Sequence, residues 1–117
     1  DTYILKMLLQ PFLENAIKHG IAPMDGMGIV TIKIFQMNEK LNIVIRDNGV
    51  GMLKEQCYKL TDPEEKSDRI GVHNVCKRIQ LHYGNEYGVE IYSVPGETSV
   101  EIKLPIIWNN PEKITDK

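Results

Sequence analysis

The chain has 117 residues and a net charge of −2, and 42% of its residues are hydrophobic. That length suits one compact domain with its own core. The chain has no excess of basic residues over acidic ones, and this excludes binding to nucleic acid as the main activity. No apolar run approaches the ~20 residues of a membrane span, and Cys57 and Cys76 lack the spacing of a metal site.

The first predicted element is an amphipathic helix that ends near Gly20. Its apolar positions recur at helical spacing, at Leu5, Leu8, Leu9, Phe12, Leu13, Ala16 and Ile17. Pro11 interrupts the pattern and either kinks the helix or starts its second part. Asn15, Lys18 and His19 fall on one flank of the apolar stripe, where they form a polar lip. The same lip is also typical of a solvated helix edge whose charges compensate the helix dipole.

A β-hairpin is predicted next, with strands at residues 29–35 and 41–47. The second strand alternates apolar and polar residues and leads into the loop Asp47-Asn48-Gly49-Val50-Gly51-Met52. Glycine leaves no side chain between a backbone and a ligand. A purine could therefore approach this backbone while the Asp47 carboxylate accepts a hydrogen bond from its amino group. Taken alone, the loop is more typical of an ordinary turn than of a ligand site.

The second half of the chain predicts a short helix at 53–60, a polar connection at 61–69 and a helix opened by Gly71. Two more strands follow at 89–94 and 99–104, and then a polar tail at 109–117, expected to fray. The order helix, hairpin, helix, hairpin favours a two-layer α/β sandwich, with helices on one face of a mixed, largely antiparallel sheet. Neither common phosphate-loop motif occurs, so a nucleotide site would be built in another way.

Three stretches together resemble a known family: LQPFLENAIKHG at 9–20, DNGVGM at 47–52 and RIGVHNV at 69–75. In this order they resemble the N, G1 and G2 boxes of the ATP-binding family shared by histidine kinases, DNA gyrase, Hsp90 chaperones and MutL. The resemblance is closest to the catalytic domain of LytS/YesM-like sensor histidine kinases, in which a QP-x-x-ENA-x-KHG helix is typical. It covers nearly the whole chain and implies the Bergerat-type ATP-binding fold.

The resemblance implies that ATP and Mg²⁺ bind between the helices and a lid at residues 53–70. Asn15 would hold Mg²⁺ through its side-chain oxygen, and Asp47 would bind the adenine amino group. The implied nucleotide contacts are Asn15, Lys18, His19, Asp47, Gly49, Gly51, Met52, Arg69, Ile70, Gly71 and Val72. The amides at Gly71 would meet phosphate at a helix N-terminus. Arg69 departs from the glycine usual at its position, although a guanidinium can bind phosphate itself.

The implied catalytic residues are Asn15, Lys18 and, in second rank, Glu14. Glu14 is placed second because its helical direction leads away from Asn15. A solvated Glu14 that pairs with Lys18 four residues later is an equally good interpretation. The connection at 61–69 holds no aliphatic or aromatic residue, so we expect it to be mobile in the empty domain and to order on phosphates.

The implied function is transfer of the γ-phosphoryl group of ATP to a histidine on an upstream dimerisation helix. His19, His73 and His82 all fall within the nucleotide-binding part, so the phosphoacceptor is expected outside residues 1–117. The chain is then a single catalytic domain, cytoplasmic, from a homodimeric membrane kinase that serves a response regulator. Two alternatives stay open: a protein serine kinase of the anti-sigma type, and a module that binds ATP without transferring phosphate. Asn15 weighs against the second, because adenine binding alone needs no metal ligand.

Overall fold

A computed structural model describes the backbone of residues 2–62, 70–84 and 86–106, and the side chains of 8–62, 71–84 and 86–106. Helix α1 runs on into a π-helical turn, and two further helices and four strands follow. The elements are α1 (Thr2–Asn15), the π turn (Ala16–Ile21), β1 (Val30–Met37), β2 (Lys40–Asp47), α2 (Lys54–Thr61), α3 (Ile70–Tyr83), β3 (Gly88–Val94) and β4 (Glu97–Pro105). In these ranges, no helix is long and apolar enough to cross a membrane.

The four strands form one sheet in the order β1-β2-β4-β3. Each pair of neighbours is antiparallel, so the described strands include none of the parallel pairing that a mixed sheet would have. Two of the pairs are hairpins, and the β1–β2 turn uses Asn38 and Glu39 with φ of 55° and 60°. Two successive residues of positive φ are the signature of a tight hairpin turn. The expected two-layer α/β sandwich is confirmed.

The core lies between the helices and one face of the sheet. Alternate residues of β2 and β4 point to this face because side chains alternate along a strand. Among the described side chains, the buried hydrophobic residues are Leu8, Leu9, Phe12, Ala16, Leu41, Ile43, Ile45, Leu60, Val72, Cys76, Ile79, Val100, Ile102 and Leu104. Complete burial of a large aliphatic or aromatic side chain contributes roughly 1.5–3 kcal/mol. This core holds the C-terminal ends of α1 and β2 together at one edge of the sandwich.

The first helix differs from the sequence prediction at its end. Pro11 lies inside α1, and the helix ends close to Gly20 as predicted, but its last turn, Ala16–Ile21, is a wider π turn. The Ala22 N–H donates to the Ile17 carbonyl oxygen over 2.8 Å, which is the i to i−5 bond of a π-helix. The wider turn sets the Gly20 backbone against the loop that follows β2.

Two predicted segments fall partly or wholly outside the described residues. The predicted lid at 53–70 begins as α2 and ends at the first residue of α3, and residues 63–69 between them are outside the description. The polar tail at 109–117 is outside it as well.

Candidate active site

The loop after β2 is packed between the π turn and the turn joining β3 to β4. The Val50 N–H donates to the Gly20 carbonyl oxygen over 3.0 Å, and the Gly96 N–H donates to the Gly49 carbonyl oxygen over 3.1 Å. A Cβ atom on Gly49 would lie 2.3 Å from the Gly20 carbonyl carbon. Real Cβ atoms do not come this close to backbone, so Gly49 is required for the loop to reach the helix end.

Gly51 is required for a second close approach, on the other side of the loop. Its φ is +86°, and a Cβ atom there would lie 2.6 Å from the Val94 carbonyl oxygen. The next residue, Met52, donates its N–H to the Ser93 hydroxyl over 2.7 Å. The glycine spacing that sequence analysis assigned to ligand approach therefore also serves packing against the strand ends.

Asn48 fixes the connection that precedes β1. Its side-chain Nδ2 donates to the Met27 carbonyl oxygen over 2.9 Å, and its Oδ1 accepts from the Ile29 N–H over 2.7 Å. The Asn48 N–H also donates to the Ile29 carbonyl oxygen over 3.2 Å. Sequence analysis gave this residue no role, although an asparagine between Asp and Gly often bonds to nearby backbone.

Asp47 is a buried carboxylate at the end of β2. It is 7% exposed, and its Oδ1 accepts a hydrogen bond from the Gly49 N–H over 2.9 Å. Burial raises the pKa of Asp47 above its usual value of 3.8, and the bond from Gly49 opposes that rise. In the described part of the chain, Oδ2 accepts no hydrogen bond. This oxygen can therefore accept a hydrogen bond from a ligand.

A small cavity of about 10 Å³ lies beside this carboxylate. Its lining comes from α1, the π turn, the loop and β4: Asn15, Ala16, His19, Gly20, Asp47, Gly51, Met52 and Thr98. By this measure there is room for about one water molecule. At this size the cavity has no room for a whole nucleotide, so most of a bound nucleotide would have to lie beyond it.

Asn15 is a lining residue of this cavity and carries an unsatisfied oxygen. Its Oδ1 is buried and has no hydrogen-bond partner among the described residues. Buried polar atoms in folded proteins are nearly always paired, so an orphaned oxygen on a cavity-lining residue is a candidate to bind a ligand. Mg²⁺ prefers oxygen ligands and takes most of them from phosphates and water. The described residues hold no cluster of three or more His, Cys, Asp or Glu suited to a metal. The Asn15 oxygen therefore suits a cation that arrives with a nucleotide and takes its other ligands from the phosphates and water.

The cavity brings together five of the residues predicted from sequence and leaves others out of its lining. Lys18 is exposed on the π turn. Glu14 is exposed as well, and its Oε1 accepts a hydrogen bond from Gln10 Nε2 over 3.1 Å. Among the described residues Lys18 forms no ion pair with Glu14, so the solvated Glu14 has a different partner from the one expected.

The predicted phosphate-binding stretch lies at the start of α3. The Val72 side chain is 2% exposed and packs in the core, which leaves its backbone N–H in the first helical turn as the group that could meet an anion. Gly71 faces α1, where an added Cβ would lie 3.2 Å from Pro11 Cβ. Arg69 and the Ile70 side chain are outside the described residues. The assignment of this stretch to phosphate stays a prediction.

Thr98 is a cavity residue that sequence analysis missed. It is 4% exposed and lies opposite Asp47 in the β2–β4 pairing. Its hydroxyl is 2.7 Å from the Ser93 hydroxyl. The inward alternation of Val100, Ile102 and Leu104, extended back by two residues, would have placed Thr98 on the same face.

A second, larger cavity of about 470 Å³ lies at the far end of the sheet from Asp47. Its lining mixes cations and carboxylates: Lys40, Thr61, Cys76, Gln80, Glu86, Tyr87, Gly88, Val89, Glu90, Glu101 and Lys103. Burial raises the pKa of the Cys76 thiol to about 12, so this thiol is not a nucleophile at neutral pH. The cavity offers no group of residues that indicates a particular chemistry.

Comparison with known families finds a match over residues 1–107, to the family described as histidine kinase-, DNA gyrase B-, and HSP90-like ATPase. Among relatives, the sensor histidine kinase YpdA of Escherichia coli is 34% identical over 102 residues, 87% of this chain and 18% of YpdA. The sensor protein LytS of Oceanobacillus iheyensis is 29% identical over 97% of this chain and 21% of LytS. The chain therefore spans about a fifth of the length of these relatives.

Solved structures with the same fold include histidine kinase domains. The nucleotide-free catalytic domain of the histidine kinase ThkA matches 90% of this chain and 68% of that domain, with a TM-score of 0.68 and 19% identity. The histidine kinase domain of a blue-light activated kinase from Erythrobacter litoralis matches 88% of this chain and 43% of its own length, with a TM-score of 0.64 and 18% identity. At these identities the likeness shows the fold.

Proposed function

Since this chain belongs to the family of histidine kinase-, DNA gyrase B-, and HSP90-like ATPases, we propose that it binds Mg-ATP and transfers the γ-phosphoryl group to a histidine. The relatives named above are sensor kinases. The acceptor histidine lies on a dimerisation helix of the same protein, upstream of this domain, and a response regulator then takes the phosphoryl group. In the proposed setting the domain is cytoplasmic and the full-length protein is a homodimer in the cell membrane.

The observation that carries the proposal is one cavity with two complementary polar groups. The free Oδ2 of Asp47 suits the exocyclic amino group of adenine. The unpartnered Oδ1 of Asn15 suits a magnesium ion held by the phosphates. Both groups line the same small cavity, so base and metal recognition meet at one end of the sandwich.

The domain's own residues bind, orient and screen the reacting group. Asp47 selects adenine, and Asn15 holds the cation beside the phosphates. His19 lines the cavity, and Lys18 lies one residue before it on the exposed side of the π turn. A bound Mg²⁺ would neutralise charge on the phosphates, and positioning with charge neutralisation is most of what phosphoryl transfer requires of a protein.

Phosphate contacts at the start of α3 complete the proposed site. The backbone N–H groups of Gly71 and Val72 belong to a helix N-terminus, where unsatisfied donors and the helix dipole favour anions. Arg69 adds a guanidinium two residues before Gly71, and Glu14 stays in second rank as a group that orients water.

The test uses γ-labelled ATP and this chain, with and without the upstream segment of its own protein. We expect no stable phosphohistidine on the chain alone and acid-labile labelling of the supplied segment. Acid-stable phosphoserine on a partner protein would favour the serine kinase alternative. Substantial labelling of His19, His73 or His82 would contradict the proposal that the acceptor lies elsewhere.

A further inference from the structure

One row of side chains across the sheet differs from its neighbours on the helix-facing side. Strand pairing aligns Asp47 of β2 with Thr98 of β4, and Thr98 with Ser93 of β3. The next row along the same face is aliphatic throughout, formed by Ile32, Ile45, Val100 and Ile91. The polar row begins at the carboxylate proposed to bind adenine and ends at a hydroxyl outside the cavity lining.

Ser93 forms hydrogen bonds with two parts of the site. Its Oγ accepts a hydrogen bond from the Met52 N–H over 2.7 Å, and the same Oγ is 2.7 Å from the Thr98 hydroxyl. Met52 and Thr98 are both cavity residues. Met52 is also the second residue before α2, so the Ser93 hydroxyl fixes the point where the glycine loop turns into that helix.

A hydroxyl suits this position because it can accept and donate at once. Serine carries one O–H donor and two acceptor lone pairs, so Ser93 can accept from Met52 while it shares a hydrogen with Thr98. Alanine at this position would leave the Met52 N–H without its acceptor and the buried Thr98 hydroxyl without its partner. Gly51 allows this approach, because an added Cβ there would lie 3.2 Å from the Ser93 hydroxyl.

We propose that Ser93 is a positioning residue for the adenine end of the nucleotide site, acting through Met52 and Thr98. The proposal rests on the function proposed above. Ser93 is proposed to act at the adenine base and not at the phosphates. Loss of its hydroxyl should therefore lower the affinity for adenosine, ADP and ATP by the same factor. A net hydrogen bond of ordinary strength corresponds to a loss of about three- to tenfold in affinity.

The chain offers a matched control in the same hairpin. Ser99 is on β4, opposite Tyr92, and its buried hydroxyl has no partner among the described residues. Ser99→Ala therefore removes the same atom, one residue from Thr98, without breaking a hydrogen bond. Ser93→Thr retains the hydroxyl and should restore most of the affinity that Ser93→Ala loses.

The experiment measures adenosine, ADP and Mg-ATP affinity by calorimetry for the parent chain, Ser93→Ala, Ser93→Thr and Ser99→Ala. Amide hydrogen exchange at Met52 is followed in the empty domain, where Ser93→Ala alone should accelerate it. Equal losses for the three ligands in Ser93→Ala, with both other variants near the parent, are the expected result. Parental affinity in Ser93→Ala, a loss that grows from adenosine to ATP, or the same loss in Ser99→Ala would overturn the inference. A parent that binds none of the ligands would overturn the proposed function, and the inference with it.

Discussion

The ligand-binding role proposed for Asp47 would come at the expense of the stability of the empty domain. Burial raises its pKa above 3.8, so the folded chain holds this proton at pH values where the unfolded chain has released it. The free energy of unfolding contributed by Asp47 therefore rises as pH falls through the raised pKa, and the ionised carboxylate is destabilising at neutral pH.

Asp47→Asn should separate these two effects. The amide oxygen can still accept from Gly49, so we expect the empty domain to become more stable at pH 7, with the gain shrinking as pH falls through the raised pKa towards 3.8. ATP affinity should fall about tenfold or more, because a hydrogen bond to a charged group contributes roughly 1.5–3 kcal/mol. Urea unfolding across this pH range checks the first part, with the exposed Asp25→Asn as control. A variant less stable than the parent at pH 7 would contradict the account.

Asn15→Ala should weaken Mg²⁺ binding and leave adenine binding unchanged. Its Oδ1 has no partner among the described residues, so removing it breaks no described hydrogen bond in the empty domain. Adenosine affinity should stay near the parental value, while most of the strengthening of ATP binding by Mg²⁺ is lost. Calorimetry with and without Mg²⁺ measures both. If Mg²⁺ strengthens ATP binding to the full parental extent, Asn15 is only a helix-edge amide.

Gly49→Ala tests the close approach of the loop to the π turn. The added Cβ would overlap the Gly20 backbone, and forced packing of this kind costs about 1–3 kcal/mol, occasionally more. Gly84 is a useful comparison, because it has φ +81° and open space around it. Both variants should lower the free energy of unfolding, but only Gly49→Ala should also weaken nucleotide binding. Parental ATP affinity in Gly49→Ala would show that the loop position does not matter to the site.

At the scale of elements, the helices cover β2 but leave most of β1 exposed. Ile34 of β1 and Ile43 of β2 are paired across the hairpin, yet Ile34 is 49% exposed and Ile43 is fully buried. The helices therefore rest on β2, β4 and β3 and leave β1 exposed beyond its first residue, Val30.

The paired isoleucines allow one substitution to be tested in two environments. Ile43→Ala should lower the free energy of unfolding by about 2–5 kcal/mol, because it leaves a cavity in the core. Ile34→Ala should lower it by less than about 1 kcal/mol, as a partly exposed side chain loses little on truncation. Chemical denaturation of the two variants measures the difference. Equal losses would mean that β1 is covered in solution.

Element types could be predicted from sequence because their signals are local. The alternation through Leu41, Ile43 and Ile45 placed Asp47 at a strand end, and the structure has β2 ending there. The π turn could not be predicted in the same way. Its widening accompanies the contact between Gly20 and Gly49, two residues far apart in the chain, and no local pattern carries that contact.

The same difference between local signals and long-range contacts applies to the residues of the candidate site. Asn15, His19, Asp47, Gly51 and Met52 were predicted and lie around one cavity. Thr98 and Ser93 were missed, because their place beside Asp47 follows from the order β2-β4-β3 and not from any motif. Lys18 was grouped with Asn15 and His19 on the assumption of an ordinary α-helix; it is exposed on the π turn, and its role at the site stays a prediction.

At the scale of the whole molecule, the cavity beside Asp47 is small, with room for about one water. The larger opening, at the other end of the sheet, lacks the paired groups that would recognise a nucleotide. We therefore expect a bound nucleotide to extend from the cavity beside Asp47 over the neighbouring surface of the domain.

Calorimetric titration of this 117-residue chain with ATP and with GTP, each in the presence of Mg²⁺, tests the central claim most directly. GTP carries an oxygen where adenine carries its amino group, so it cannot donate to the Asp47 carboxylate. We expect ATP to bind at least about tenfold more tightly than GTP, in line with the loss of a hydrogen bond to a charged group. Equal affinities for the two nucleotides, or no binding of ATP, would contradict the assignment of this cavity as an adenine nucleotide site.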